Sequence, residues 1–244
     1  MQDYSKSFQD TEAAKKYEEI VYGTKSHDSF IWSLQKKCLI SIVENLKRCH
    51  ESLIHLDFAC GTGRVISVLD GITEKSTGLD ISKEMIEIAQ EKVKKSDLLV
   101  GNILEEPEIV DSNYDLITTF RFFLNAEPEL RESVMRSLSS RLRDKDSRLI
   151  FSIQGNSQSF RHLSIACRNW KGEQHHEMSL RDVRRLVEDA GLVIESWYGF
   201  GVSPALLHRT MLSPLVKLVD RVAIKLPVLK RFSYDLLFVC KRKV

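Results

Sequence analysis

Apolar residues alternate along this chain between short runs and helically spaced stripes. Residues 53–56 form a run that predicts a buried parallel strand, and residues 64–69 begin a helix behind it. Met85, Ile86, Ala89 and Val93 repeat at helical spacing after Ser82, which is placed to cap them. Residues 98–103 and 114–120 predict two more strands, Leu130, Val134, Leu138 and Leu142 a helix, and residues 149–153 a fifth strand. Ser179 and Asp182 have the spacing of a capping box ahead of Val183, Leu186, Val187 and Ala190, and Gly191 ends that helix. Residues 192–197 and 235–240 supply two final strands. Such alternation predicts an α/β fold, with helices on both faces of a mainly parallel sheet.

Two regions flank this pattern. Ala13, Ala14, Tyr17, Ile20 and Val21 share one helical face, and after Asp28 and Ser29 a second helix carries Ile31, Leu34, Cys38, Ile42 and Leu46 inward. Between the last two strands, Ser213-Pro214 starts a helix and Pro227 ends it. Leu215, Val219, Val222, Ala223 and Leu226 form its apolar stripe; Lys217, Arg221 and Lys225 recur on another face. The organisation expected is one domain over 1–244: a helical cap (1–50), a core (51–202), a basic amphipathic insertion (203–233) and a last strand (234–244).

A chain of 244 residues suits one α/β domain, and 43% hydrophobic with 29% charged residues is ordinary for a soluble protein. No apolar stretch reaches transmembrane length, and the first residues lack the basic-then-apolar layout of a signal peptide. Five scattered cysteines without a CxxC pair read as reduced thiols, which points to a cytoplasmic protein. Charge is uneven: residues 205–244 hold nine Lys or Arg against two Asp, a net of +7, leaving −5 for the rest of a +2 chain. The basic end has three readings: a lid with solvated charges, a surface for an anionic acceptor or a membrane face, or a homodimer contact. Neither an interleaved aromatic pattern nor an RNA-binding module points to nucleic acid.

The most informative segment is Asp57-Phe58-Ala59-Cys60-Gly61-Thr62-Gly63, where a strand ends in an acidic residue and turns through glycines into a helix. Glycine there lets bare backbone turn sharply and lie against a ligand. The segment resembles the first motif of class I S-adenosylmethionine (SAM) dependent methyltransferases, with Asp57 at the acidic position, Gly61 and Gly63 at the later glycines, and Ala59 where many members have another glycine. Asp80 follows Asp57 by 23 residues, about one βα unit. The resemblance implies a Rossmann-like three-layer sandwich with strand order 3-2-1-4-5-7-6 and an antiparallel seventh strand. It implies SAM as cofactor, with Asp80 on the ribose, Ile81 on the adenine face and Asn102 on the adenine amino group. Met85, Ile103 and Phe120 complete the implied cofactor set, and Tyr17 on the amino-terminal helix would cover it. Two alternatives stand beside this reading. An NAD-dependent Rossmann enzyme would want the third glycine of GxGxxG where Ile66 stands; a non-catalytic SAM sensor or partner subunit would keep the same motifs.

Methyl transfer to a neutral hydroxyl needs a base, and His162, His175 and His176 are candidates because they follow the fifth strand, where this fold holds acceptors. Adjacent His175 and His176 with Cys167 make a poor ligand set, there is no HExxH, and no metal is expected. Residues 121–128 lack the Asn/Asp-Pro-Pro-aromatic signature of the methyltransferases acting on amino nitrogens of bases or glutamine. They also lack an acidic residue directly after Phe120, as the metal-dependent catechol enzymes would require. Arg121 and Asn125 are candidates to orient a polar acceptor, and Lys217, Arg221 and Lys225 to attract an anionic or lipid-linked one. The expected activity is therefore transfer to oxygen on a small-molecule or glycan-like acceptor.

Overall fold

The computed structural model describes residues 26–48, 50, 52–159, 162, 177–204, 207–208, 210–211, 213–224, 226 and 228–243. Seven strands, β1 (Ile54–Phe58), β2 (Lys75–Asp80), β3 (Asp97–Val100), β4 (Leu116–Thr119), β5 (Arg148–Gln154), β6 (Leu192–Phe200) and β7 (Asp235–Arg242), form one sheet. Their order is β3-β2-β1-β4-β5-β7-β6, with β1 to β5 parallel and β7 antiparallel to both its neighbours. This is the order that the resemblance implied. The carboxyl ends of β1 to β6 and the start of β7 consequently share one edge.

Helices α1 (His27–Lys47), α2 (Ile66–Leu69), α3 (Lys83–Lys92), α4 (Pro128–Ser140), α5 (Leu180–Asp189) and α6 (Ser213–Ala223) cover the sheet. The period-two alternation of strands divides the core. Leu149, Phe151 and Ile153 of β5 join Val134 and Leu138 of α4, whereas Ile150 joins Ile31, Leu39 and Val43 of α1. On the α4 side a ladder of rings, Phe58, Phe122, Phe123, Phe151 and Phe238, runs across the sheet at centroid spacings of 5.1 to 5.3 Å. Truncating one of the central rings to alanine should cost about 3–5 kcal/mol, since the packed neighbours cannot close the void.

Helix ends follow local chemistry. Ser82 Oγ accepts the Met85 N–H, and Ser179 with Asp182 makes the expected reciprocal capping box. α1 begins earlier than Asp28 and Ser29 suggest, because the Ser26 hydroxyl accepts the Ser29 N–H. Its inward line is also turned by one residue: Ile31, Gln35, Leu39 and Val43 are buried, while the expected Leu34, Cys38, Ile42 and Leu46 lie half-buried beside them. Two adjacent rows of apolar side chains are wide enough to bury either, and the sheet meets the i, i+4 row.

The insertion departs further from expectation. α6 packs inward through Val216, Asp220 and Ala223, whereas Leu215, Val219, Val222 and Leu226 face outward. Only Ala223 of the predicted buried stripe is inside. The reason is Asp220, whose carboxylate collects three partners from the fold and turns the helix toward them. The expected amino-terminal helix with Tyr17, and His175, His176, Cys167 and Lys225, lie outside the described residues.

Candidate active site

The turn after β1 is held from two sides. Below it, Asp57 is 1% exposed, and its carboxylate accepts the Ile66 N–H at 3.1 Å and the Thr118 hydroxyl at 2.7 Å. Beside it, the Asp80 carboxylate accepts the Gly61 N–H at 2.8 Å and the Ser82 N–H at 3.0 Å. Ala59, Gly61 and Gly63 all take left-handed backbone, with φ of 54°, 54° and 76°. Ala59 thus keeps the conformation that glycine would favour, at a cost of about 1–2 kcal/mol.

The two later glycines differ in purpose. A Cβ on Gly63 would come 2.9 Å from Ala89 Cβ, so its bareness lets α3 pack against the loop. A Cβ on Gly61 would meet nothing within 4 Å. Open space lies in front of that residue.

Beneath the turn a polar chain crosses the sheet. Thr118 donates to Asp57, His55 Nε2 lies 2.8 Å from the Thr118 oxygen, and His55 Nδ1 lies 3.0 Å from Ser76 Oγ. Burial pushes the His55 imidazole down to about 3 and the Asp57 carboxyl up to about 7. Burial also raises Asp80, against the hydrogen bonds from Ser82 and Gly61. Asp57, named from the sequence as a cofactor contact, has each oxygen bonded inside the protein, one to Ile66 and one to Thr118. His55 and Thr118 were not singled out; the signal was there in polar residues within otherwise apolar parallel strands.

Other expected positions spread along the same edge. Ile81 is 44% exposed directly after Asp80, an apolar side chain left open at a strand end. Met85 and Phe120 are buried, the latter edge-on to Trp32 at 6.0 Å, with the Arg64 guanidinium 4.4 Å from the Trp32 ring. Asn102 Oδ1 accepts the Leu104 N–H at 3.1 Å while its amide donates to Glu105. The Ile103 side chain is wholly in the core, so only its main chain can face a ligand.

Where β4, β5 and β7 meet, a second polar cluster collects. Arg121, at φ 65°, sits 3.4 Å from Asp28 of α1, and Asp28 also accepts the Tyr234 hydroxyl at 2.8 Å. Gln154, with its oxygen turned to Arg121, accepts from Nε and Nη2 at 3.0 and 2.6 Å. Burial acts to raise the Asp28 carboxyl, but its hydrogen bonds and the Arg121 charge together overcome this and hold it well below the usual carboxylate range. Asp235, fully buried beside them, is pushed up to about 7 by desolvation.

Above Asp28 two imidazoles meet. His27 and His208 stand edge to face with centroids 4.5 Å apart, and His208 Nε2 lies 2.9 Å from Asp220 Oδ2. The other Asp220 oxygen accepts the Val202 and Ser203 N–H groups, each at 3.0 Å, just beyond the end of β6. His208 Nδ1 and His27 Nε2 are buried without a hydrogen-bond partner among the described residues. Desolvation lowers the His208 pKa, assisted by His27 and opposed by Asp220. His27, His208 and Asp220 bring one ligand atom each within 4.8 Å of one another. Because Asp220 already serves three groups, the trio reads as a His–Asp pair with a neighbouring imidazole.

The remaining sequence candidates take no part in the His208–Asp220 pair, although Phe30, which neighbours Lys217 and Arg221, lies 5.4 Å from the His208 ring. His162 is exposed and bonded to Glu177 at 2.5 Å. Asn125 donates to the Arg121 carbonyl at 3.0 Å and so braces the loop after β4. Lys217 and Arg221 stand 5.7 and 5.9 Å from the Phe30 ring. His208 and Asp220 were missed, although Asp220 is the single acid between residues 205 and 233. An isolated acid in a basic, apolar stretch signals a buried partner.

Residues 56–145 match a methyltransferase domain family. The matched stretch runs from β1 to just beyond α4, so it takes in the glycine turn and Asp80. Demethylmenaquinone methyltransferase of Thermotoga maritima is 38% identical over 82 residues, which span 32% of this chain and 35% of that protein. The chain thus aligns with about a third of that relative. Magnesium protoporphyrin IX methyltransferase of Synechocystis PCC 6803, solved with bound SAH, has the same fold at a TM-score of 0.67 and 17% identity, over 99% of this chain and 100% of that one. A SAM-dependent methyltransferase of Archaeoglobus fulgidus superposes at 0.63 and 16% identity, over 93% and 99%.

The Synechocystis enzyme was solved with SAH and with SAM bound, and the turn after β1 here has a cradle that fits such a ligand. The open space before Gly61 admits a ligand against bare main chain, Asp80 presents a carboxylate beside it, and Ile81 offers an apolar face. The dinucleotide alternative fails on the same segment, since Ile66 is wholly buried where a third glycine would be needed.

Proposed function

We propose that the protein methylates a hydroxyl oxygen of a small-molecule or glycan-like acceptor, with His208 as the base. The observation that carries this reading is the buried His208–Asp220 pair at the carboxyl edge of the sheet, whose Nδ1 has no hydrogen-bond partner among the described residues. When bound, SAM supplies a methyl group on a sulfonium sulfur, so the protein must chiefly align the acceptor and remove its proton.

Asp220 accepts the His208 Nε2–H, which fixes the tautomer and leaves the Nδ1 lone pair to take the acceptor proton. The lowered pKa keeps that imidazole neutral near pH 7. Arg121, held by Asp28 and Gln154, sets a fixed positive charge beside the crevice for the polar part of the acceptor. α1 closes the site by joining Asp28 to both Arg121 and Tyr234.

The test uses radiolabelled SAM with fractionated cell extract. Labelled product bearing an O-methyl group, and its loss by roughly 100- to 10,000-fold in His208→Gln with SAM affinity retained, is the expected result. Methylation on nitrogen or carbon, or full activity in that variant, would remove the proposed role.

A further inference from the structure

α6 carries an apolar face that the described residues leave uncovered. Leu215, Leu218, Val219 and Val222 are 59%, 55%, 46% and 49% exposed, and Leu226 and Val228 extend the surface past the helix at 45% and 69%. Four such side chains on one stripe of an eleven-residue helix exceed the scattered exposure usual on a soluble surface. Lys217 and Arg221 border the stripe on one side, and the packed line of Val216, Asp220 and Ala223 borders it on the other.

Charge indicates what this face meets. The only acids between residues 205 and 244 are Asp220 and Asp235, and they are 0% and 1% exposed. Among its described residues the segment therefore shows solvent basic and apolar side chains and no acidic one. A second copy is a poor occupant, because a two-fold contact would set Lys217 and Arg221 against their own like charges with no acid in the segment to pair them. An anionic bilayer satisfies both features: acyl chains take the leucines and valines, and lipid phosphates take the flanking cations.

We propose that the outward face of α6 and the turn after it seat on an anionic lipid surface. The helix would lie in the interfacial plane, with the Asp220 side turned to the protein. Asp220 ties the same helix to His208, so docking would bring the carboxyl edge of the sheet next to the bilayer. This inference does not depend on which atom the enzyme methylates, and its test reads binding alone.

The full chain is sedimented with vesicles of phosphatidylcholine alone, or of phosphatidylcholine with phosphatidylglycerol, at low and high salt. Binding should need phosphatidylglycerol and weaken with salt, and Lys217→Gln and Arg221→Gln should each lose about fivefold, the worth of one cation at such a surface. Val222→Asp should abolish binding while thermal melting shows a folded protein, since that side chain is half exposed. Equal binding to both vesicles, no binding, or a solution dimer that Val222→Asp converts to monomer would each overturn the proposal.

Discussion

Gly61 donates its amide hydrogen to the Asp80 carboxylate at 2.8 Å, which stitches the turn after β1 to the end of the neighbouring strand. One carboxylate thus shapes the loop while presenting itself to the crevice. Asp80→Ala should weaken SAM binding by about 1.5–3 kcal/mol, the scale of hydrogen bonds to a charged group. Calorimetry with SAM checks this; unchanged affinity would show that the carboxylate serves the loop only.

Gly61 and Gly63 should separate binding from folding. Gly61→Ala places a Cβ in open space at a left-handed φ, so the fold should lose about 1–2 kcal/mol while SAM affinity falls more steeply. Gly63→Ala drives a Cβ to 2.9 Å from Ala89 and 3.3 Å from Val93, so it should melt lower than Gly61→Ala. Melting curves and SAM titrations of both variants decide, and the same ranking in both assays would count against the distinction.

Much of this division could be read in the chain beforehand. The strand positions, the Ser82 and Ser179 caps and the glycine turn follow from local spacing, because each is decided within one βα unit, whereas the strand order is what the family resemblance implies. The face of α6 was misjudged for a different reason: its orientation depends on Asp220 meeting His208 and the amides of Val202 and Ser203, contacts outside the helix. Periodicity reports how wide an apolar stripe is and leaves open which side is covered. His208 escaped notice likewise, since only the folded chain brings it to Asp220 and to His27 of α1.

His208 should set the acidic limb of the pH profile. Its pKa is lowered by burial, so it stays neutral and able to accept a proton until the pH falls below the ordinary imidazole range. Methyl transfer should therefore hold its rate down to below about pH 6.5 before declining. Asp220→Asn should cost activity and some stability together, because Val202 and Ser203 lose a charged acceptor. A rate in His208→Gln that still follows the wild-type pH curve would assign the titration elsewhere.

His55 makes a stability prediction that is independent of any acceptor. Thr118 commits its single hydrogen to Asp57, so His55 must donate from Nε2 and, being neutral, accept from Ser76 at Nδ1. Its folded pKa of about 3 lies below the ordinary 6.5, so its contribution is fully present above pH 6.5 and is lost as pH falls toward 3. By about pH 4 that loss reaches about 3 kcal/mol. The Asp57 carboxyl, raised to about 7, acts in the opposite sense: it is most favourable at low pH and loses stability as pH rises through 7. Comparing wild type with His55→Gln isolates the imidazole, since Gln can still donate to Thr118 and does not titrate. At pH 7 and above the variant should be the weaker by about 1–2 kcal/mol, the cost of an imperfect buried hydrogen bond. Urea unfolding should then show the gap closing and reversing as the pH drops to about 4, because only the wild type must exclude a proton from its core. A gap that stays constant across that range would mean that His55 keeps its proton in the folded sheet, and the assigned direction of hydrogen bonds from Ser76 to Asp57 would have to be abandoned.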